Sequence, residues 1–447
     1  MSTFLFSSQP STGHLNPLFT IARQMQARGH TPVFANFAPP KVKKTIAGHG
    51  FRLINIRPAL PTLGLTLLPN TSGFVETFLA VRLFYSGILH YARAALPVLD
   101  EVRPAAVISD FSYFGACLAA EARGIPYAAI YHAGLSFKGP GIPPFGSGLP
   151  IGETGENEAS RYRRASDFLE RSMIRTIAHA RKQLRLPPRD TNPLARPASP
   201  WLNLVLTAEA SEAPRDPLPP TTFFIGPCFA GRQNAGTFPF ERLSPGKPKI
   251  YVSLGTVFNR KPRVFSKIID AFADGRCQLI ISAGGAFRKL QSQPPPENVL
   301  LFERVPQVEL LPRVDAVISH GGNNTTNETL AAGKPLLVMP VGGEQGDNAS
   351  RVVYLGAGLR ADIKRSTSRE IGAKIDRLFA EPIFRQRAQA IGAALAQTQG
   401  PVTAAQFIER VAQTQQPLLR PEGYPLTVTR GVARPWAFQE MTTSRKL

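Results

Sequence analysis

Twice along its length the chain alternates short apolar runs with longer amphipathic stretches, and this alternation constrains the fold more than any other feature. The first series of runs falls at residues 3–7, 31–36, 52–56, 105–109 and 127–131. The second falls at 249–254, 278–282, 299–302, 316–319 and 336–339. Short apolar runs separated by helical periodicity read as strands buried on both faces, so each series predicts a parallel sheet covered by helices. The expected class is therefore α/β, with two doubly wound halves and a cleft between them, where ligands usually bind. A first helix is expected from about residue 17 to 27, which leaves Thr12 to Pro17 in the loop after the first strand.

A Pro-rich break at 213–220 (APRDPLPP) reads as a stiff linker. The expected boundaries are an N-terminal domain at 1–213, a linker at 214–220 and a C-terminal domain at 221–400. The segment 401–447, a helix and a tail, is expected to return to the N-terminal domain. Residues 58–99 are unusually apolar and read either as core or as the wall of a pocket for a greasy substrate. Residues 134–155 form a Gly/Pro-rich loop of the kind that often binds ligands.

Composition narrows the setting. With 447 residues, 43% of them apolar and 19% charged, the chain can bury a large core. No window approaches 18 consecutive apolar residues, and the start lacks the basic n-region of a secretory signal. Cys117, Cys228 and Cys277 are far apart, which argues against a disulfide framework or a zinc site and for a reducing cytoplasm. Lys and Arg number 52 against 31 Asp and Glu, a net charge of +21 that favours anionic partners. The densest cationic stretch runs through Arg161, Arg163, Arg164, Arg171, Arg175, Arg181, Lys182 and Arg185. It carries no aromatic-interleaved basic motif, so nucleic acid is not expected. A solvated basic helix is the plain reading, and peripheral contact with a membrane is the alternative.

Three stretches in the second half point to one ligand. His320-Gly321-Gly322-Asn323-Asn324-Thr325-Thr326-Asn327-Glu328 follows a strand and opens a helix. Its glycines allow close backbone approach, and the free N–H groups of the first turn, with Asn324 and Thr325 beside them, form an anion site suited to phosphate. Glu328, one turn on, can accept from a ribose hydroxyl. An ordinary Gly-rich strand-to-helix turn would account for the two glycines alone. Glu344 and Gln345, at the end of the next strand, would face the same crevice and read polyol hydroxyls. Ser253-Leu254-Gly255-Thr256 ends the first strand of this half and offers a hydroxyl and a close backbone. A phosphate site beside a polyol site suggests a sugar nucleotide.

The first half supplies a candidate base. His14 follows the first strand and Asp110 the strand 105–109, so in an open parallel sheet both point into one crevice. A histidine whose second nitrogen is held by a carboxylate is a competent general base near neutral pH. Taken singly, either residue would pass for a helix cap or a turn residue. His132 could touch an acceptor or simply pack in the core.

With these residues in place, the chain resembles a glycosyltransferase of family 1, whose members have two facing Rossmann-like domains, the GT-B fold. The stretch from Val305-Pro306-Gln307 through Gln345 resembles the family's donor-sugar signature. The resemblance implies that His320 contacts the diphosphate and that Gly322, Asn324 and Thr325 surround it; the strand end at Gly255 and Thr256 is expected to add a close backbone and a hydroxyl there. It implies ribose binding by Glu328, sugar binding by Glu344 and Gln345, and base or ribose contacts from Gln307 and the Val305 backbone. His14 then matches the catalytic histidine and Asp110 its partner. Family members often place a stacking tryptophan three residues before the Gln307 position. Here Arg304 stands there, and a guanidinium can also stack on a base.

The expected activity is inverting transfer of a hexose, glucose by preference, from UDP-glucose to a hydroxyl of a hydrophobic small molecule. No cofactor is expected, and the absence of any D-x-D pair argues against an obligatory metal. The alternatives are a non-catalytic sugar-nucleotide-binding helper, an epimerase of the same architecture, and a membrane-surface lipid glycosyltransferase.

Overall fold

The computed structural model describes the chain apart from residues 60–73, 133, 153–155, 191, 194–195, 216, 230–237, 256–260, 293 and 445–447. Thr256, much of the apolar 58–99 stretch and the end of the 134–155 loop lie outside or partly outside the described residues.

Two sheets organise the molecule. The first contains β1 (Thr3–Ser7), β2 (Thr31–Asn36), β3 (Arg52–Asn55), β4 (Ala106–Asp110), β5 (Tyr127–Tyr131), β6 (Leu202–Val205) and β7 (Thr222–Phe224). Its order is β3-β2-β1-β4-β5-β6-β7. The second contains β8 (Lys249–Ser253), β9 (Gln278–Ser282), β10 (Val299–Phe302), β11 (Ala316–Ser319), β12 (Leu336–Val338) and β13 (Gly358–Arg360), in the order β10-β9-β8-β11-β12-β13. Every neighbouring pair is parallel. In each sheet the strand order reverses beside the first strand, between β1 and β4 and between β8 and β11. A crevice opens beyond the carboxyl ends at such a switch point.

Alternation along the strands divides the first core. Leu5 and Val33 face one side of the sheet with Tyr91, Leu118 and Ile177, while Phe4 and Phe6 face the other with Leu18 and Ile21. Phe407, Ile408 and Val411 of the Gly400–Thr414 helix join this second side. The chain end thus completes the core of the first lobe. Glu409 fixes the return by accepting two 2.6 Å hydrogen bonds from Arg28, with His30 Nε2 2.9 Å away.

The structure departs from the sequence reading at three places. The Pro-rich stretch 214–220 runs between β6 and β7, which pair in the first sheet, so it does not separate the lobes. The crossing comes after Phe224 and before Lys249, because β7 still finds its hydrogen-bonding partner on the N-terminal side. The first helix spans Thr12–Ala27 with Pro17 inside it, so His14 sits in a helical first turn and not in a loop. Pro17 is the sixth residue of this helix, past the first turn, so it removes the N–H that would bond the carbonyl four residues earlier. Finally, β6, β7 and β13 were not foreseen, because Asn203 interrupts the apolar run of β6 and the strands TFF and GLR hold only two and one large apolar residues.

The chain crosses between the lobes twice, and the two crossings touch. A Cβ on Gly226, whose φ is +89°, would lie 1.8 Å from Thr398 Oγ1. A Cβ on Gly400 would lie 2.6 Å from the Gly226 carbonyl oxygen. Only glycine permits both approaches.

Candidate active site

The ends of β1 and β4 deliver His14 and Asp110 to the switch point of the first sheet. Asp110 closes β4 with 1% exposure, and its carboxylate contacts His14 Nδ1 directly. The second carboxylate oxygen accepts from Ser112 N at 2.9 Å and Ser112 Oγ at 2.8 Å, which fixes the carboxyl plane. Burial would raise this carboxyl, but the charges of His14 and His132 and the hydrogen bonds from His14 and Ser112 hold it far below the usual carboxylate range. For His14, burial pulls downward and is overcome by the charge and hydrogen bond of Asp110, with Glu344 of the other lobe adding to the rise. The net direction is up. Since Nδ1 is committed to Asp110, Nε2 is the nitrogen left to meet a substrate.

His132, one residue past β5, packs against His14 with ring centroids 4.1 Å apart and the rings tilted by 57°, and its Nδ1 lies 3.9 Å from Asp110 Oδ1. Burial and then the His14 charge press His132 down to about 3, against the pull of Asp110, so it stays neutral at working pH. Among the described residues, His14, Asp110 and His132 are the group whose ligand atoms come close enough to hold a metal ion. Sequence reading treated His132 as core or acceptor wall and missed its place beside the base.

The second sheet repeats the arrangement. Ser253 and Ser319 are paired residues at the ends of β8 and β11. Each turns its hydroxyl onto a following glycine amide, Gly255 N at 3.4 Å and Gly321 N at 3.1 Å. His320 then fills the space between the two loops. A Cβ on Gly255 would sit 2.4 Å from His320 Nε2, and one on Gly322 would sit 2.6 Å away. Burial pushes His320 down to about 4, opposed by a hydrogen bond to the Ser253 backbone, so this imidazole is neutral. Gly322 caps the Asn323–Ala331 helix, and among the described residues no side chain caps that end. Its first-turn amides are therefore available to an anion.

Gln307, 1% exposed, links the rest of the pocket. Its Oε1 accepts from Tyr251 Oη at 2.9 Å, and its Nε2 donates to Glu328 Oε2 at 2.5 Å and to Thr325 Oγ1 at 3.4 Å. Val305 packs into the core of the second lobe and is buried. Gln345 Oε1 accepts from Val341 N at 2.8 Å and Gly342 N at 3.2 Å, so this oxygen shapes its own loop. Glu344 sits at the start of the Gln345–Tyr354 helix and is partly exposed.

The two crevices face each other through contacts that sequence reading did not anticipate. Pro17 has no N–H for the Gly13 carbonyl four residues earlier, and Asn324 Nδ2 donates to that carbonyl at 3.4 Å. Asn323 Nδ2 donates to the His132 carbonyl. Arg351 pairs with Glu212 at 2.7 Å and also donates to Asn323 Oδ1 at 3.1 Å and Asn348 Oδ1 at 2.6 Å. Asp347 accepts from Gly146 N at 2.6 Å and Gly148 N at 2.9 Å in the long loop. The helix start that offers amides to an anion therefore also touches both histidine-bearing segments of the other lobe.

Residues 194–402 match the family of UDP-glucoronosyl and UDP-glucosyl transferases. That match spans a little under half of the chain, and the chain is similar to glycosyltransferases of family 1. It is 28% identical to 4'-demethylrebeccamycin synthase of Lentzea aerocolonigenes, over 91% of this chain and 98% of that protein. It is 27% identical to zeaxanthin glucosyltransferase of Pantoea ananas, over 95% and 99%. The crystal structure of the glycotransferase of kitacinnamycin superposes with a TM-score of 0.73 at 24% identity, covering 93% of this chain and 99% of that one. The fold is GT-B. These similarities support a glycosyltransferase that uses a nucleotide sugar and a small-molecule acceptor.

Proposed function

We propose that this glycosyltransferase moves a hexose, glucose by preference, from a uridine nucleotide sugar to a hydroxyl of a hydrophobic natural product, with inversion at the anomeric carbon. The observation that carries the proposal is the opposition of His14, held by Asp110 on one lobe, to Glu344 and the Asn323–Ala331 helix start on the other. An acceptor hydroxyl placed at His14 Nε2 loses its proton as its oxygen attacks the anomeric carbon from the face opposite the nucleotide. Asp110 stabilises the imidazolium that forms. The departing diphosphate gains negative charge, which on this reading the amides after Gly322, the His320 imidazole and the Gly255 backbone meet. One displacement of this kind inverts configuration. No residue in the scheme requires a metal or a cofactor.

On this reading Glu328, paired with Gln307, takes the ribose, and Thr325 and Asn324 border the diphosphate. Glu344 and the Gln345 amide nitrogen take sugar hydroxyls, and Thr256 adds a hydroxyl to the phosphates. Arg304, exposed beside Val305, stacks on the base. The named relatives, one a glucosyltransferase and one the synthase of a natural product, support the glucose and natural-product assignments. Three buried thiols suit a reducing cytoplasm, and among the described residues no helix is long and apolar enough to cross a membrane.

The test is His14→Ala assayed with a panel of nucleotide sugars and a phenolic or polyketide acceptor. A loss of about 10²- to 10⁴-fold in kcat with donor binding retained is the expected outcome. Near wild-type transfer by this variant would remove His14 as the base.

A further inference from the structure

The net charge of +21 finds no use in the proposed transfer chemistry, and part of it is gathered on one exposed face. The Glu156–Gln183 helix of the first lobe has 28 residues. Along it, Arg164, Phe168, Arg171, Arg175 and Lys182 recur at spacings of three, four and seven, which places them on one side. All five are exposed, whereas Leu169, Met173, Ile177 and Ala180 are buried against the lobe. From Arg164 to Lys182 the stripe extends about 27 Å. Neighbouring helices extend it: Arg82 lies over the Phe168 ring at 5.8 Å, and Arg93 hydrogen-bonds Gln183 at 2.9 Å.

The acidic side chains do not neutralise this face. Asp167 and Glu170 of the same helix are both engaged by Lys138, Asp167 at 3.7 Å and Glu170 in direct contact. Among the described residues, no carboxylate forms an ion pair with Arg164, Arg171, Arg175 or Lys182. Two large apolar side chains are exposed at this side of the lobe, Phe168 at 49% and Leu79 at 39%.

We propose that this face docks on an anionic lipid bilayer. Each guanidinium can bind phosphate oxygens of headgroups, and the exposed Phe168 can enter the interface between them. A nucleic acid fits less well, because single strands are held in grooves by several stacking aromatics and this is a flat stripe with one. The proposal stands apart from the catalytic assignment, since none of these residues belongs to the crevice.

The test is co-sedimentation of the full chain with vesicles of phosphatidylcholine alone or with a third phosphatidylglycerol. Binding to the anionic vesicles in 50 mM salt, its loss in 0.5 M salt and no binding to neutral vesicles are expected. The variant Arg164→Glu/Arg171→Glu/Arg175→Glu should partition at least a hundredfold more weakly, while its circular dichroism, melting temperature and transfer to a water-soluble acceptor match wild type. Equal binding of both vesicle types, equal binding by the triple variant, or no vesicle binding at all overturns the proposal. So does a single-stranded oligonucleotide that binds more tightly than the anionic vesicles and displaces them.

Discussion

The pairing of His14 with Asp110 makes a specific pH behaviour testable. The rise in His14's pKa means that acid keeps the imidazole protonated and unable to accept a proton, so kcat/KM should climb with pH through a value above that of an ordinary histidine. In Asp110→Asn the raising charge is gone while burial remains, so the rising limb should move to lower pH. The plateau should fall by about 10⁴-fold, because the tautomer is no longer held. A rate profile from pH 5 to 9 checks both. Stability follows the same linkage with a definite sign. A folded pKa above the unfolded one stabilises fully at acid pH, and that contribution fades as pH rises through the folded value. The variant should therefore lose more in Tm at pH 5.5 than at pH 9. His14 and Asp110 were readable from sequence because one lies in the segment that leaves β1 and the other ends β4, both at a crevice. His132 was not, since nothing in its neighbours shows that its ring will lie against His14.

At the scale of single elements, the turns around His320 separate steric from conformational demands. Gly322 has an ordinary φ of −60°, so Gly322→Ala tests space alone: its Cβ must displace the His320 ring. Gly255 has φ +75° as well as the same clash, so Gly255→Ala adds backbone strain of about 1 kcal/mol. Both variants should raise donor KM, measured with the nucleoside diphosphate as competitor, and Gly255→Ala should also melt lower. The start of the next helix carries a second expectation. Asn323→Ala leaves the His132 carbonyl without its donor, at a cost of about 1–3 kcal/mol if that carbonyl stays buried. Its kcat should fall with donor affinity nearly intact. The strands around these turns were legible from short apolar runs with glycines after them, whereas the true start of the first helix was masked by Pro17. A proline inside a helix looks like a boundary until the partner of the freed carbonyl is known.

Across the whole molecule, the lobes are joined by charge as well as by chain. Arg351 and Glu212 form a buried pair in which Glu212 is 2% exposed. Arg351→Ala strands that carboxylate and should destabilise by about 3–5 kcal/mol, read as a fall in Tm. Glu212→Gln/Arg351→Met should recover part of it, because neither partner is then left charged. Such inter-lobe contacts are invisible to a reading that works along the chain, since residues 212 and 351 share no local pattern. The domain boundary was misplaced for a related reason: composition marked a stiff segment but could not reveal which sheet would recruit the three residues of β7. The meeting of Gly226 with Thr398 and Gly400 also determines how the lobes can move. Both covalent links pass through one spot, so opening is a swing about that pivot, and the displacement it produces grows with distance from it. Bulk added at Gly226 or Gly400 should therefore act like a wedge in a door hinge, shifting the resting angle of the gap while every residue lining it keeps its identity.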